Sequence, residues 1–183
     1  MRIALAGLLI SIAIVAVFWG RPKPAGGMVT PEYNTKGELA RPADFAQWTF
    51  LGASVGLSYS EGARNEGGPG TFHNVQIQPE AYRVYKETGK FPEKTILVLT
   101  LYEPEQKVSP AKHGYFEGKL VAQEVAVKDK ERFPGGWAYF DFKGGANILA
   151  YAAAQPKEGC FACHAKNAQD DNVFVQFYPA LRK

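Results

Sequence analysis

Residues that bind metals or form covalent links are scarce in this chain. Its 183 residues include two cysteines, two methionines and three histidines, too few thiols for a disulfide scaffold. Lysine and arginine are scattered and the net charge is only +3, which disfavours nucleic-acid binding. With 46% hydrophobic and 21% charged residues, the composition is that of a folded globular protein and excludes a disordered one.

Both cysteines fall within one pentapeptide, CFACH, at residues 160–164. The spacing C-x-x-C-H is the attachment signature of c-type haem. The thiols of Cys160 and Cys163 lie on the same side of a helical turn, where they can add to the vinyl groups along one edge of a haem. His164 follows at once and is placed to bind the iron as the proximal axial ligand. The chain is therefore predicted to carry one covalent haem c.

Three other uses of such a cysteine pair fit less well. Disulfides between residues three apart are usually redox-active rather than structural. A thioredoxin-type pair follows a strand in a β-α-β pattern, which is absent from this sequence. A zinc site needs further ligands, most often a second cysteine pair.

The second axial position of the iron has few candidate ligands. Met1 and Met28 both lie near the N-terminus, in segments predicted below to be a leader and a linker, so methionine ligation is disfavoured. His73 and His113 are the only other histidines, and a bis-histidine site stays open. The favoured expectation is an iron with no strong distal protein ligand. Such an iron suits diatomic gas binding or small-molecule redox chemistry better than electron transfer.

An uncharged apolar run follows the short basic start of the chain. It predicts residues 1–20 as a signal peptide or N-terminal membrane anchor. Residues 21–40 are predicted to form a Pro/Gly-rich linker, and residues 41–183 the haem c domain. The expected location is periplasmic or otherwise extracytoplasmic, with the protein either released or tethered to the cytoplasmic membrane by residues 3–19. Covalent haem attachment, which takes place outside the bacterial cytoplasm, agrees with export.

The residue patterns predict an α+β fold, with one antiparallel β-sheet, flanking helices and the haem-binding helix near the C-terminus. A helix is expected at 79–89, with Pro79 in its first turn and Gly89 at its end. Strands are expected at 94–103, 114–129 and 135–142. The first of these is apolar on both faces and should be central. An alanine-rich helix is expected at 146–156 and the haem helix at about 158–168.

Five segments carry a family resemblance: FHNVQIQPEAYRVYKETGKFP (72–92), GYFEG (114–118), AVKDKERF (126–133), GGWAYFDF (135–142) and CFACHAKNAQDDNVFVQFYP (160–179). They resemble the cytochrome P460 family, which includes cytochrome c′-beta, and together they span most of residues 45–180. The last segment is the most specific because it extends the haem signature by fifteen residues. The resemblance implies an exported, homodimeric protein rich in antiparallel β-structure.

Two branches of that family differ at one strand position. The resemblance implies that cytochrome P460 proper cross-links a strand lysine to the haem and oxidises hydroxylamine. Here the matching position falls at Leu99, and no lysine lies between Lys94 and Lys107. The chain is thus closest to cytochrome c′-beta, which implies five-coordinate iron and an apolar pocket that binds nitric oxide. Leu99 is expected in this distal pocket, with three aromatic candidates for its cap: Phe50, Phe72 and Phe116.

The expected function is binding of nitric oxide as a sensor, carrier or scavenger. An apolar pocket offers no hydrogen bond to stabilise bound dioxygen, whereas nitric oxide bonds strongly without one. Two alternatives stay open: a hydroxylamine or nitric oxide oxidoreductase, which a Lys94 side chain at the haem edge would favour, and a six-coordinate electron-transfer cytochrome with an unidentified redox partner. No catalytic residue is assigned, and Asp170 and Asp171 are interpreted as a solvated turn or helix-end cap rather than an acid–base pair.

Overall fold

The computed structural model describes residues 27–59, 68–106, 108–145 and 147–182. The leader predicted at residues 1–20, and the linker up to residue 26, lie outside the described residues. Among the helices that are described, none is long and apolar enough to cross a membrane. The predicted α+β fold is confirmed, because an antiparallel sheet is flanked by helices, one of them close to the C-terminus.

The described residues form short and long elements in this order: β1 (Leu39–Ala40), β2 (Thr49–Val55), β3 (Phe72–Ile77), α1 (Pro79–Thr88), β4 (Ile96–Glu105), β5 (Phe116–Lys128), β6 (Trp137–Asp141), β7 (Lys143–Gly144), β8 (Asn147–Ile148), β9 (Tyr151–Ala152) and α2 (Ala162–Asn167). Short 3₁₀ turns occupy Phe45–Gln47 and Val175–Phe177. A wider helical turn at Lys157–Phe161 leads into α2. The predicted helix at 79–89, the three predicted strands and the predicted haem helix all correspond to observed elements.

The main sheet has the strand order β2-β3-β4-β5-β6, with every neighbouring pair antiparallel. Strand β4 is central, as its apolar sequence predicted. Side chains of a strand alternate between the two faces of a sheet. Ile96 and Val98 therefore join the hydrophobic cluster on one face, while Leu97 joins the cluster on the other.

Different parts of the chain cover the two faces of the sheet. Strand residues such as Leu97 and Tyr139 pack against α1 and the C-terminal segment in one cluster. Strand residues such as Val98 and Phe140 pack against the N-terminal residues Leu39 and Trp48 in the other. Each fully buried side chain of this size contributes about 1.5–3 kcal/mol relative to exposure, so both faces of the central strand are firmly packed.

Helix α1 begins and ends where its sequence indicates. Pro79 occupies the first turn, where its missing N–H costs no helical hydrogen bond. Gly89 ends the helix in the left-handed conformation, with φ of 72°, a region that glycine enters without steric cost. Ala81 and Tyr85 are buried against the sheet, one turn apart on the same helix face.

The prediction of a helix at 146–156 is wrong. The chain there forms β8 and β9 instead, and Ala154 makes a further antiparallel bridge to Phe140. The backbone N–H groups of Leu149 and Gln155 donate to carbonyls of the main sheet region, both at 2.7 Å. The helix propensity of alanine is a weak preference that tertiary contacts can override. Hydrogen bonds to the main sheet and to β1 therefore decide the conformation of this segment.

Candidate functional site

A pocket opens on the sheet face that α1 and the C-terminal segment cover. Its free space, including the open mouth, is about 720 Å³, within the usual size of cofactor sites. The sheet contributes one set of lining residues: Val75, Leu97, Leu99, Glu124, Val125, Ala126, Tyr139, Phe140 and Asp141. The chain after the sheet contributes the other: Gln155, Cys160, His164, Asn172, Val173, Phe174 and Tyr178.

The two thiols sit at the start of α2. Cys160 and Cys163 are both free and half-buried, three residues apart where the wide turn passes into the helix. Cys160 lines the pocket together with His164. Burial raises the pKa of the Cys160 thiol, and the nearby charge of Glu124 adds to this effect. The described residues contain no group of three or more His, Cys, Asp or Glu side chains that could hold a metal ion by themselves.

The imidazole of His164 is fixed in orientation. It lies between the rings of Tyr139 and Phe174, with centroid distances of 4.3 and 4.4 Å. Its Nδ1 lies 2.8 Å from the carbonyl oxygen of Asn172. A carbonyl can only accept, so Nδ1 carries the proton and Nε2 keeps a free lone pair. Burial lowers the pKa of His164, which favours the neutral form that binds metals.

Of the four residues predicted for the distal pocket, the structure brings one together with the haem signature. Leu99 lines the same pocket as Cys160 and His164. None of the three phenylalanines lines it. Phe50 and Phe116 are exposed, and Phe72 pairs with Tyr102 on the opposite face of the sheet from the pocket-lining Val75.

Sequence reasoning missed a pair of carboxylates in the pocket. Glu124 of β5 pairs with Leu99 on one side and with Asp141 on the other, and both carboxylates line the pocket. Burial raises the pKa of Glu124, and the charge of Asp141 raises it further. The available signal was an acidic residue between Val121 and Val125 in a strand, because acidic side chains are rarely buried unless they have a partner.

The other two histidines lie apart from His164. His73 borders a smaller cavity that shares Val75, Leu99 and Tyr178 with the main pocket. Its Nε2 lies 2.8 Å from the Thr71 hydroxyl, and burial lowers its pKa. His113 is exposed in the loop before β5.

Lys94 and the two aspartates do not line the pocket. The Lys94 ammonium pairs with Asp129 at 2.7 Å and with Glu131 at 3.3 Å. Asp170 and Asp171 lie in a tight turn, as predicted, since Asp170 and Val173 form an antiparallel bridge around it. The turn is not only exposed to solvent, because Asp170 also accepts a hydrogen bond from the hydroxyl of the buried Tyr85 at 2.8 Å.

The residues present fit a haem group. An imidazole with a free Nε2, the thiol of Cys160 and a wall with aliphatic side chains share one pocket, and Cys163 follows Cys160 at the attachment spacing. Such a site defines a cytochrome, a protein that binds haem. The family model for cytochrome P460 matches residues 42–175, and the chain belongs to the cytochrome P460 family. A search of curated proteins found no match.

Proposed function

We propose that this protein is an exported cytochrome with one covalent haem c, which binds nitric oxide as a sensor, carrier or scavenger. When bound, the haem supplies an iron centre with affinity for diatomic gases. The observation that carries the proposal is the meeting of Cys160 and His164 with Leu99, rather than a lysine, in one pocket. This combination resembles the cytochrome c′-beta branch of the family.

The proposal includes an iron with no protein ligand on its distal side. Among the described residues, no methionine or second histidine lines the pocket. Met28 packs against the hydrophobic cluster that contains Leu97 and Tyr139. Aliphatic side chains at Val75, Leu97 and Leu99 form one part of the sheet wall, and Glu124 and Asp141 lie beside them. The aliphatic part has no hydrogen-bond donor, which gives nitric oxide and carbon monoxide an advantage over dioxygen.

The test is an optical spectrum of the reduced holoprotein, expressed with c-type haem maturation, before and after addition of nitric oxide. The expected result is a high-spin Soret band that shifts when nitric oxide binds. Sharp low-spin α and β bands that nitric oxide does not move would reject the proposal. They would favour the electron-transfer alternative, for which His73, beside the adjoining cavity, is the first ligand to replace.

A second candidate is an oxidoreductase acting on hydroxylamine or nitric oxide. Glu124 favours it, because burial and the charge of Asp141 raise the pKa of Glu124 and make it a better proton acceptor. Oxidation of hydroxylamine releases protons, which Glu124 could accept, and electrons, which must leave to an external acceptor. Steady reduction of an added acceptor by hydroxylamine, abolished in Glu124→Gln, would establish this activity. No turnover with any acceptor would leave nitric oxide binding as the function.

We also propose that the protein is a homodimer. A row of side chains crosses the sheet on the face away from the pocket: Val55, Phe72, Tyr102 and Leu120. Val55 is 49% exposed and Leu120 is 36% exposed, and exposed apolar residues in one row support contact with a second copy. Light scattering should give a dimer for the wild type and a monomer for Leu120→Glu. Leu149→Glu, at an exposed leucine outside this row, is the control and should stay dimeric.

The proposed export has its own test. Fractionation of cells that express the full chain should place the haem protein outside the cytoplasm. Release by osmotic shock would indicate a cleaved leader, whereas release only by detergent would indicate a membrane anchor. Haem protein in the cytoplasmic fraction would contradict export.

A further inference from the structure

The carbonyl that orients His164 belongs to Asn172, the second of two consecutive residues in left-handed conformation. Asp171 has φ of 42° and Asn172 has φ of 61°, a region in which residues other than glycine are uncommon. The N–H of Val173 donates to the carbonyl of Asp170 at 2.7 Å and closes the turn. This backbone directs the Asn172 carbonyl at His164 Nδ1, so the position of the imidazole depends on the turn.

The Asp171 carboxylate is held from two sides by the main sheet. Lys128, whose side chain is only 7% exposed, places its ammonium 2.6 Å from Oδ2. The same ammonium donates to the Phe91 carbonyl at 2.7 Å. The indole Nε1–H of Trp137 donates to Oδ1 at 3.1 Å. Both oxygens are therefore engaged by donors from neighbouring strands, β5 and β6, and charge-assisted bonds of this kind are among the strongest in proteins.

Lys128 is buried but the Asp171 side chain is 36% exposed, and an ion pair that is partly open to solvent adds little net stability. A role in geometry accounts for it better. The pair ties a strained turn to the rigid sheet, one residue before the carbonyl that binds the imidazole. The Tyr139 hydroxyl, from the same strand as Trp137, donates to that carbonyl at 3.1 Å. The sheet therefore holds the acceptor of the His164 hydrogen bond through both its own oxygen and the preceding side chain.

We propose that Lys128, Trp137 and Asp171 are positioning residues that set the strength of the iron–His164 bond, an inference that rests on the proposed role of His164 as the iron ligand. Together we call them the Asp171 clamp. A short Nδ1–H···O bond raises the basicity of a ligating imidazole. A more basic ligand strengthens the iron–histidine bond and stabilises ferric over ferrous iron, which lowers the reduction potential. Loosening the clamp should reverse both effects.

The test uses holoprotein carrying Asp171→Asn or Trp137→Phe. Asp171→Asn removes the charge with almost no change in side-chain volume, and Trp137→Phe removes the indole N–H while keeping an aromatic ring. Resonance Raman spectroscopy of the reduced protein should show a lower iron–histidine stretching frequency, and redox titration a higher potential. Two matched controls make the same substitutions elsewhere. Asp170→Asn removes an equal charge from the same turn, where the carboxylate binds Tyr85, and Trp48→Phe alters the cluster on the other sheet face.

The outcomes separate the clamp from the proposed function. Shifts in both readouts for Asp171→Asn and Trp137→Phe, with wild-type values in both controls, support the clamp. Equal shifts in Asp170→Asn would show a plain charge effect and overturn it, as would unchanged readouts in Asp171→Asn. A high-spin reduced protein without an iron–histidine band would overturn the proposed iron ligand and the clamp together. A low-spin reduced protein shows no such band whatever its proximal ligand. It would overturn the five-coordinate iron of the proposed function, and the reduction potentials of the four variants would then decide on the clamp.

Discussion

Leu99 of β4 stands directly opposite Glu124 of β5, and both side chains line the pocket that holds His164. An aliphatic and an acidic residue thus share one cross-strand position in the wall. Paired residues on one sheet face lie about 5 Å apart at Cβ. A substitution at either position therefore changes the surroundings of the other side chain, and of any ligand between them and His164.

Leu99→Lys should convert the spectrum toward that of cytochrome P460 proper. The family resemblance places the cross-linking lysine at this position, and the new ammonium would also face the Glu124 carboxylate. We expect the reduced holoprotein to gain the long-wavelength absorption after which the family is named. Leu101→Lys is the control, since it lies two residues further along the same strand face. A haem-loaded Leu99→Lys protein without this band would show that the lysine position lies elsewhere.

Glu124→Gln should stabilise the protein increasingly as pH rises. Burial, and to a smaller extent the charge of Asp141, raise the folded-state pKa of Glu124 above the ordinary value of 4.5. The folded protein then holds an extra proton between the unfolded and folded pKa values, so wild-type stability falls as pH rises through that window. The variant lacks this loss. Its advantage should be absent below the unfolded pKa and should reach about 1.4 kcal/mol per unit of pKa shift above the folded one.

Urea denaturation at a series of pH values measures that difference. Asp141→Asn provides a second variant, because it removes one of the two causes of the raised pKa and should reduce the pH dependence without abolishing it. A difference between wild type and Glu124→Gln that stays constant with pH would contradict a raised folded-state pKa.

Gly135→Ala should impair haem attachment more than its backbone strain alone explains. Gly135 has φ of +98°, and an added Cβ would lie 2.7 Å from Cζ of Phe161, one of the two residues between the cysteines of the signature. Gly145→Ala is the matched control, because Gly145 also has positive φ, +64°, but an added Cβ meets nothing within 4 Å. Both should lose about 1–2 kcal/mol of unfolding free energy from the left-handed conformation.

The ratio of haem absorbance to protein distinguishes the two glycine variants. It should fall clearly in Gly135→Ala and stay at the wild-type value in Gly145→Ala. Equal ratios would mean that the ring of Phe161 moves aside without disturbing the cysteines.

Replacing the cysteines one at a time should count the covalent bonds to haem. Cys163→Ser should keep a single thioether through Cys160, which lines the pocket, so intact-protein mass spectrometry should still find the haem attached. The double variant should lose it to acidified solvent. His164→Ala should keep the covalent mass but lose the histidine-ligated spectrum. Haem that is extractable from the wild type would contradict c-type attachment.

The sheet could be predicted from the sequence because local alternation decides it. In β6, Trp137 and Tyr139 face one cluster while Ala138 and Phe140 face the other, as their spacing indicates. The segment at 146–156 could not be predicted in this way. Its alanines carry no alternation, and hydrogen bonds to strands that are distant in sequence impose its conformation.

The site was predictable only where the motif is local. CFACH predicted Cys160, Cys163 and His164 as the haem residues because their spacing is short and chemically specific, and the structure places Cys160 and His164 in one pocket. The faces occupied by Phe50 and Phe72 depend on strand register, which shifts between Phe50 and Gly52 at a β-bulge. A one-residue slip moves a side chain to the other face of a sheet. Glu124 became significant only once its partners across β4 and β6 were known.

The hydrogen bond from His164 to Asn172 spans only eight residues, which bears on the order of assembly. The thiols, the imidazole and its carbonyl acceptor belong to one short stretch of chain, whereas the opposite wall comes from strands far away in sequence. Closing a short loop costs little entropy, and contacts between distant segments form more slowly. The proposed c-type attachment can therefore join haem to the C-terminal segment of a chain whose sheet is still incomplete. The sheet and the Asp171 clamp would then close over a group that is already attached, so cofactor loading would not require the finished fold to reopen.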